Sequence, residues 1–213
     1  MINRSMVFQG ELTPKLVVCE KAPLSWRLRN AARFSYVRGA IVNAVAKGIS
    51  KVLGITTITS ELRARVRRAN GTWEDYGVLS YRVVTDAGVA YIVDDFDNGS
   101  GSADISLFNF HGCGTGSTAE AVGDTALVTE STTALNPDST RPTGTRTQPA
   151  ANQYRTTGTV TFDASAAIVE HGIFTQAATG GGTLLDRSVF SAINVASGDS
   201  IQFQYTITVN SGG

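Results

Sequence analysis

The C-terminal end of the chain alternates between apolar and polar residues so regularly that few secondary structures can accommodate it. Within Ser200–Val209 the apolar residues occupy every second position, and polar residues lie between them. A period of two is typical of a β-strand with one buried and one solvated face. We therefore predict a strand whose inward side chains are Ile201, Phe203, Tyr205, Ile207 and Val209.

The residues before this strand have a similar character. From about Leu107 onward the chain contains no lysine and is rich in Thr, Ser, Gly and Ala, with short apolar runs between turn residues. Strands are predicted at 105–111, 126–130, 141–147, 154–162, 166–174 and 184–195. Short strands at this spacing favour a mainly β fold, an antiparallel β-sandwich or jelly-roll-like domain.

A second alternating segment lies nearer the middle of the chain. Residues 62–67 alternate between apolar side chains and arginines, and Asn70-Gly71 then provides a hairpin turn. Further strands are predicted at 76–84 and 89–93. Together these segments predict a three-stranded meander over 62–93 with one arginine-lined face.

The N-terminal part of the chain is organised differently, so we expect two units. The first, 1–54, is an N-terminal arm and a helix; the second, 55–213, is the antiparallel β-domain, with its sandwich over 105–209. Residues 1–23 are predicted to be an extended arm with a short strand at Lys15–Cys19, bounded by prolines.

An amphipathic helix is predicted after the arm. Apolar residues recur at spacings of three and four, which indicates a helix from Leu24 or Phe34 to Leu53, with Gly54 as its C-terminal cap. The apolar stripe consists of Phe34, Val37, Ile41, Val45, Ile49 and Val52, and the basic residues are Arg33, Arg38, Lys47 and Lys51. A basic amphipathic helix can lie on a membrane, but glycines weaken this one as a free-standing helix. We expect its stripe to pack on protein.

The net charge of zero conceals a strong asymmetry along the chain. Up to Asp75 there are 13 Lys and Arg against 5 Asp and Glu, and from Tyr76 onward there are 5 against 13. The front part therefore carries +8 and the back part −8. Opposite charges of this size attract either within one molecule or between neighbouring copies in an assembly.

The cysteine content and the first residues bear on the cellular compartment. Cys19 and Cys113 are the only cysteines, too few for a disulfide scaffold in a chain of this size. The first ten residues lack the apolar core of a signal peptide, and no long uncharged apolar run follows. We expect a soluble protein that is neither secreted by the usual route nor embedded in a membrane.

Two patterns suggest catalysis, and each has a simpler structural reading. Gly112-Cys113-Gly114-Thr115-Gly116 is rich in glycine, but it lacks the Lys-Ser/Thr of a phosphate loop, which favours a tight turn. Cys113 with His111 or His171 would make a thiol–imidazole pair. His171 lies on an apolar strand face, however, as a buried and hydrogen-bonded histidine would. We expect no catalytic residues and no cofactor.

Clustered aspartates in 94–104 suggest a calcium site, because hard cations prefer oxygen ligands. Asp95 and Asp97 are the candidate ligands. Counting from Asp95, however, Gly99 falls at the third ligand position and Ser106 at the closing position, which excludes an EF-hand. A solvated acidic loop is the preferred interpretation, and we expect no bound metal.

The arginines of the meander are candidates for an interaction site. Guanidinium groups bind phosphates, but they also pair bidentately with carboxylates on an acidic protein surface. Apart from Trp73, aromatic residues for base stacking are absent around them, which disfavours nucleic acid as a ligand. The candidate interaction residues are Arg63, Arg65, Arg67, Arg68, Lys47 and Lys51.

Two long runs resemble a known group of proteins. These are FHGCGTGSTAEAVGDTALVTE at 110–130 and EHGIFTQAATGGGTLLDRSVFSAINVASGDSIQFQYTITV at 170–209. They are similar to tailed-bacteriophage virion proteins encoded near the major capsid protein and described as head decoration, cement or other structural proteins. The resemblance extends from about Tyr81 to the C-terminus, and it implies a location in the virion and no catalytic residues.

The resemblance and the residue patterns lead to one expectation about function. We expect a non-enzymatic capsid decoration or cement protein whose partners are the major capsid protein and sibling copies, in a dimer or trimer. A tail, neck or fibre component, including one that binds a receptor or glycan, is the alternative. Neither reading involves a membrane.

Overall fold

The computed structural model describes residues 3–7, 15–81, 83–97 and 104–212, with side chains from Cys19 onward except those of Phe34, Ser35, Val83 and Asp97. Eleven strands are present in this part of the chain: β1 Asn3–Val7, β2 Lys15–Lys21, β3 Thr57–Arg67, β4 Trp73–Ser80, β5 Val83–Val84, β6 Phe110–Gly114, β7 Thr145–Ala150, β8 Gln153–Thr161, β9 Ala166–Phe174, β10 Leu184–Val195 and β11 Ser200–Asn210. The helices are α1 Leu24–Ala31, α2 Phe34–Leu53 and α3 Asp86–Asp97, with a 3-10 turn at Ile105–Leu107.

The strands form two sheets that pack face to face, as the mainly β, sandwich-like prediction requires. One sheet has seven strands in the order β1-β2-β4-β3-β11-β8-β7, and the other has four in the order β5-β10-β9-β6. Their described pairings are antiparallel except that of β2 with β4. The prediction of strands at 154–162, 166–174, 184–195 and 200–209 is confirmed to within a residue at each end.

Strand β11 lies at the centre of the larger sheet, paired along its length with β3 and β8. Its side chains Ile201, Phe203 and Tyr205 are fully buried, as the alternation predicts. The prediction is wrong at the far end, where Ile207 is half-buried and Val209 is 42% exposed. Val209 pairs with Ile58 of β3, which is exposed as well, so this end of the larger sheet is left uncovered.

The core between the two sheets joins apolar side chains from both. It includes Leu62, Val66, Phe190, Ile193, Ile201 and Phe203. A second cluster around Phe108, Ile173 and Leu185 lies beneath α3, with Tyr91 and Ile92 of that helix packed against it. A fully buried side chain of this size contributes about 1.5–3 kcal/mol. These clusters account for a stable body without any bound group.

The segment 89–93 is helical, so the prediction of a third meander strand there is wrong. Thr85 begins the helix, because its hydroxyl accepts a hydrogen bond from the Gly88 N–H at 3.0 Å, in the manner of an N-cap. Gly88 is required because a Cβ there would approach the backbone of Leu185 to within 2.5 Å. Helix α3 therefore packs closely on β10, and the short run of apolar residues takes the helical period.

Three other predicted strands are shorter than expected or absent. The segment 105–111 begins as a 3-10 turn, and β6 starts only at Phe110. Residues 126–130 form a loop with one bridge, from Glu130 to Gly114. In 141–147 the strand starts at Thr145, and the Arg141 N–H donates to the Ala177 carbonyl at 2.7 Å. The strand predicted at Lys15–Cys19 is present and extends to Lys21.

Helix α2 has the predicted bounds, but its apolar stripe faces solvent and not the body as predicted. It runs from Phe34 to Leu53, and Gly54 caps it in the left-handed conformation with φ 68°. The apolar stripe does not face the body: Ile41 is 58% exposed and Val52 81%. Val37, Val45 and Ile49 are exposed as well, and the side chain of Phe34 lies outside the described residues.

Small and polar side chains attach α2 to the body instead. Gly39 lies against the backbone of Tyr81, and the Asn43 side-chain amide donates to the Ser60 carbonyl at 3.1 Å. Near the end of the helix, the Ser50 and Thr57 hydroxyls are 2.5 Å apart. The rim of the sheet offers backbone acceptors at this place, which favours amide and hydroxyl partners over a stripe of branched apolar side chains.

The orientation of α2 predicts that Ile41→Asp has little effect on the free energy of unfolding. Because Ile41 is 58% exposed, the new carboxylate stays hydrated, and we expect a change below about 1 kcal/mol. Ile193→Ala, in the core, is the control and should cost about 2–5 kcal/mol. Urea denaturation of the monomer at low protein concentration measures both. A loss of several kcal/mol for Ile41→Asp would contradict the exposed orientation.

Candidate functional site

Three of the predicted interaction residues share the outer face of the larger sheet. Arg63, Arg65 and Arg67 point outward from β3, while Leu62, Ala64 and Val66 between them are buried. Arg63 pairs with Glu61 at 2.6 Å. Arg65 donates to the Gln202 side chain at 2.7 Å, and its guanidinium lies 4.4 Å from the centre of the Trp73 ring. This is a flat, solvated surface of arginine and amide groups.

Arg68 belongs to an internal network and not to that surface. Its guanidinium binds both oxygens of Glu74, at 3.0 and 2.7 Å, and Asp199 at 2.8 Å. Hydrogen bonds from Arg68 hold the pKa of Glu74 below its ordinary range, although burial opposes this. Burial raises the pKa of Asp199, but hydrogen bonds from Arg68 and two backbone N–H groups outweigh it and leave the pKa lowered. Burial and Glu74 raise the pKa of Tyr76 to about 12.

These lowered carboxyl pKa values predict a loss of stability in acid. A carboxyl whose folded pKa lies below its unfolded value contributes its full stability above the unfolded value, and loses it as the pH falls through the folded value. Between about pH 5 and about pH 2 we expect the unfolding free energy of the wild-type protein to fall more steeply than that of Arg68→Gln. Arg67→Gln, at the exposed neighbour, is the control and should follow the wild type. Parallel curves for Arg68→Gln and the wild type would contradict this role of Arg68.

Lys47 and Lys51 lie on α2 and are both exposed. They flank the exposed apolar stripe together with Arg38, and α2 carries no acidic residue. We call the outward side of this helix, formed by Val37, Ile41, Val45, Ile49 and Val52 with these basic residues, the α2 face. It is an apolar ridge bordered by positive charge.

Helix α3 has an outward apolar ridge bordered by negative charge. The sequence pattern did not indicate this ridge, because it predicted a strand at 89–93. Val89, Val93 and Phe96 recur at spacings of four and three, and all three are exposed, Phe96 to 78%. Asp86 and Asp94 border them and are exposed too. We call this side of the helix the α3 face.

Residues of the two runs that resemble virion proteins, 110–130 and 170–209, form a buried ionic network. Glu170 of β9 and Arg187 of β10 are both fully buried, and Arg187 Nε and Nη2 each lie 2.9 Å from the same Glu170 oxygen. Glu170 also accepts backbone hydrogen bonds from Gly116, Val128 and Thr129 at 2.8–3.0 Å. The two residues therefore bind the loop after β6 to the outer side of the smaller sheet.

Arg187 completes the attachment of this loop. It donates to Asp124 at 3.0 Å and to the Thr118 carbonyl at 3.0 Å. Gly114 and Gly116 are required because a Cβ at either would meet the Glu170 carboxylate, at 2.7 and 2.5 Å. The glycine-rich run is thus occupied by a carboxylate of the protein itself. Its residues Gly112–Gly114 belong to β6, so the prediction of a tight turn is wrong there, and the glycines allow close packing instead.

A second arginine fastens the next part of the same loop. Arg141 is buried and pairs bidentately with Glu130, at 2.6 and 2.9 Å. It donates also to the Gly181 carbonyl at 2.7 Å, and it stacks 3.5 Å from the centre of the Phe174 ring. Charged hydrogen bonds of this kind are short and directional, so they define the loop geometry.

Glu170→Gln is expected to destabilise the protein by about 3–5 kcal/mol, because it removes the fully buried countercharge of Arg187 and leaves it paired with the partly exposed Asp124. Asp163→Asn, at an exposed carboxylate, is the control and should change little. Denaturation with urea measures both. If Glu170→Gln does not fold, the double variant Glu170→Gln with Arg187→Met removes the buried charge and should recover part of the stability. Wild-type stability for Glu170→Gln would show that the pair is unimportant.

The candidate thiol and imidazole groups are enclosed between the sheets. His111 Nδ1 and His171 Nε2 are 3.0 Å apart, and His111 Nε2 lies 3.2 Å from the Thr156 hydroxyl. His171 packs on Phe203 with ring centres 4.3 Å apart. Burial raises the pKa of Cys113 strongly, and Glu130 and Glu170 raise it further, which keeps it a thiol. These groups are arranged as core residues, without the thiolate that nucleophilic catalysis requires.

The candidate calcium ligands Asp95 and Asp97 are part of α3, not of an extended loop. Asp95 lies half-buried on the helix. Within the described residues no group of three or more His, Cys, Asp or Glu side chains is placed to hold a metal ion. Asp104, the last of the predicted cluster, instead caps the 3-10 turn through the Ser106 N–H at 2.8 Å.

Comparison of the chain with protein-family models, with curated proteins and with solved structures gives no match. Among the described helices, none has the length and apolar character needed to cross a membrane. The resemblance of the two sequence runs to virion proteins therefore stays a prediction.

Proposed function

We propose that this protein is a non-enzymatic structural protein of a tailed-bacteriophage virion, most simply a decoration or cement protein on the capsid. Its partners are the major capsid protein and sibling copies of itself. The observation that carries the proposal is a contrast between the interior and the surface. The interior is held by buried ion pairs, whereas the surface exposes apolar helix faces. Soluble monomers seldom expose contiguous apolar ridges such as the α2 face, because these favour association.

The hairpin of β1 and β2 supports the part of the proposal that concerns the capsid. Among the described residues, β2 pairs with β4 through Cys19, Glu20 and Lys21, and the pairing of β1 is with β2. The hairpin is thus an arm joined to the body by a short pairing, and β1 forms one edge of the larger sheet. An open edge accepts a strand from a neighbouring protein, which is how an arm clamps adjacent subunits.

The interior supports a structural role over an enzymatic one. The buried charged groups identified above hold loops: Glu170 with Arg187 binds the loop after β6, and Arg141 binds Glu130 and the 176–181 turn. Cys113 is kept as a thiol by burial. This is the arrangement of a rigid scaffold whose polar groups stabilise its shape.

One observation favours the alternative, a tail or fibre component that binds a glycan. Across the outer face of the larger sheet, Arg65 donates to Gln202, and the Gln202 amide lies 3.4 Å from the Thr159 hydroxyl. Trp73 lies beside them under the Arg65 guanidinium. Planar polar groups next to an aromatic ring match the hydroxyls and apolar faces of a sugar. Copy number separates the two proposals, since decoration requires hundreds of copies per particle and a tail part roughly three to twelve.

The capsid proposal predicts the effect of removing residues 1–18, which precede the pairing of β2 with β4. The truncated protein should remain folded, because the described core lies outside this segment, but it should bind capsids poorly. Capsids that lack the protein are incubated with each form, and the bound copies are counted against the major capsid band on a gel. Heat release of the packaged DNA gives a second readout.

The control is the full-length chain with Asp163→Asn, an exposed position outside the arm and the candidate interaction residues, which should reach full occupancy. Raising the salt to about 1 M shortens the Debye length to about 3 Å and should weaken charged contacts while apolar ones persist. If the truncated protein decorates capsids fully and protects them from heat, the arm is not a clamp. If neither form binds capsids, the decoration proposal is wrong.

A further inference from the structure

We propose that copies of this protein bind each other through unlike helices, with the α2 face of one copy seated on the α3 face of another. This deepens the proposed function, since it rests on sibling copies being partners and specifies the surfaces that join them. The contact would be an apolar ridge against an apolar ridge, bordered by opposite charges.

The orientation of α2 is set by specific contacts, so its exposed ridge is a property of the fold. Asn43 and Ser50 form hydrogen bonds on the side of the helix toward the sheet, and Gly39 allows close approach to Tyr81. Rotating the helix to bury its apolar side would break these bonds and place valine and isoleucine against backbone acceptors. The ridge therefore stays outside in the single chain and needs a partner to leave water.

The two ridges match in length. On α2 the central residues Ile41, Val45 and Ile49 follow one another at spacings of four, and span about 12 Å at 1.5 Å per residue. On α3 the exposed ridge from Val89 to Phe96 spans about 10 Å. Three side chains on each helix can thus interdigitate over about two turns, which is the ordinary mode of helix packing.

Charge decides which helix is the partner. Residues 21–60 contain seven Lys and Arg and no Asp or Glu, whereas residues 83–140 contain nine Asp and Glu and no Lys or Arg. Two α2 faces in contact would bring Arg38, Lys47 and Lys51 against their own copies, and two α3 faces would do the same with aspartates. An α2 face on an α3 face places Lys47 and Lys51 near Asp86 and Asp94 instead, which is favourable.

The same evidence favours a second copy over a lipid surface. An anionic membrane would attract the α2 face, but it would repel the aspartates of α3 and leave Val93 and Phe96 uncovered. A second copy carries both faces and so accounts for both exposed ridges at once. Each copy has one α2 face and one α3 face. If two copies bind each other through both pairs of faces, they form a closed dimer; if each copy binds a different neighbour through each face, they form a ring or chain.

Purified full-length protein tests the proposal without any particle. Sedimentation velocity over about 1–100 μM should detect self-association, and 1 M salt should weaken it. Val45→Asp in the α2 face and Val93→Asp in the α3 face should each raise the dissociation constant at least about tenfold. Leu24→Asp, at a leucine of α1 that is 66% exposed, is the matched control and should change nothing. If Val45→Asp proves unstable, Val52→Asp replaces it, since Val52 is 81% exposed.

Charge reversal identifies the pairing. One variant carries Lys47→Glu with Lys51→Glu, and the other carries Asp86→Lys with Asp94→Lys. Each variant alone should self-associate at least about fivefold more weakly, because its altered face meets a like charge. Mixing the two should restore a complex in which the acidic α2 face of one variant binds the basic α3 face of the other.

Several results would overturn the proposal. Wild-type protein that stays monomeric to about 100 μM excludes it. Weakening by Val45→Asp but not by Val93→Asp shows that α2 binds something other than α3. Binding of the monomer to vesicles of anionic phospholipid, lost in Val45→Asp, assigns the α2 face to a membrane. Failure of self-association leaves capsid binding through the arm untouched, and failure of capsid binding leaves self-association untouched, so the two proposals are tested separately.

Discussion

The buried pair of Glu170 and Arg187 is the interaction on which the rest of the β-domain depends. Two opposite charges removed from water are tolerated only when their remaining hydrogen-bonding groups are satisfied, and here backbone groups of the loop after β6 satisfy them. The loop cannot leave without exposing the pair, and without the loop the pair loses the hydrogen bonds that satisfy it. Leu127 of the loop in turn packs on Phe174 and Leu184, so the smaller sheet is sheltered on its outer side as well as its inner one.

Arginine side chains hold irregular segments in place at several points of the described chain. Arg68, Arg141 and Arg187 each bind two or more segments that are distant in sequence, through carboxylates and backbone carbonyls together. A planar guanidinium with five donors can do this, and an ammonium group cannot hold the same fixed geometry. Long irregular connections are thereby kept in one conformation, which gives the exterior a constant shape for partners to recognise.

Periodicity predicted the elements of this fold better than it predicted their surroundings. The alternation in 200–209 and the long apolar strands identified β11, β9 and β10, and spacings of three and four identified the bounds of α2. A period states which residues share a face, however, and not which face looks inward, so the burial of the α2 stripe was predicted wrongly. Residues 89–93 were too few to separate a strand from a helix, and the decisive contact, Gly88 on Leu185, joins segments almost a hundred residues apart.

The buried pair was also not predicted from the sequence. The signal that would have revealed it was a charged residue inside each of two apolar runs, Glu170 in one and Arg187 in the other. The roles of Arg63, Arg65, Arg67, Lys47 and Lys51 as interaction residues stay predictions.

The uneven placement of lysine has a practical consequence for chemistry on this protein. The only lysines in the sequence are Lys15, Lys21, Lys47 and Lys51, so side-chain amines are confined to the arm and to α2. Amine-reactive dyes or cross-linkers therefore leave the whole β-domain unmodified and report on two surfaces alone. Lys47 and Lys51 are exposed beside the apolar ridge, and their protection from acylation in an assembled particle would map its covered side in the unaltered protein.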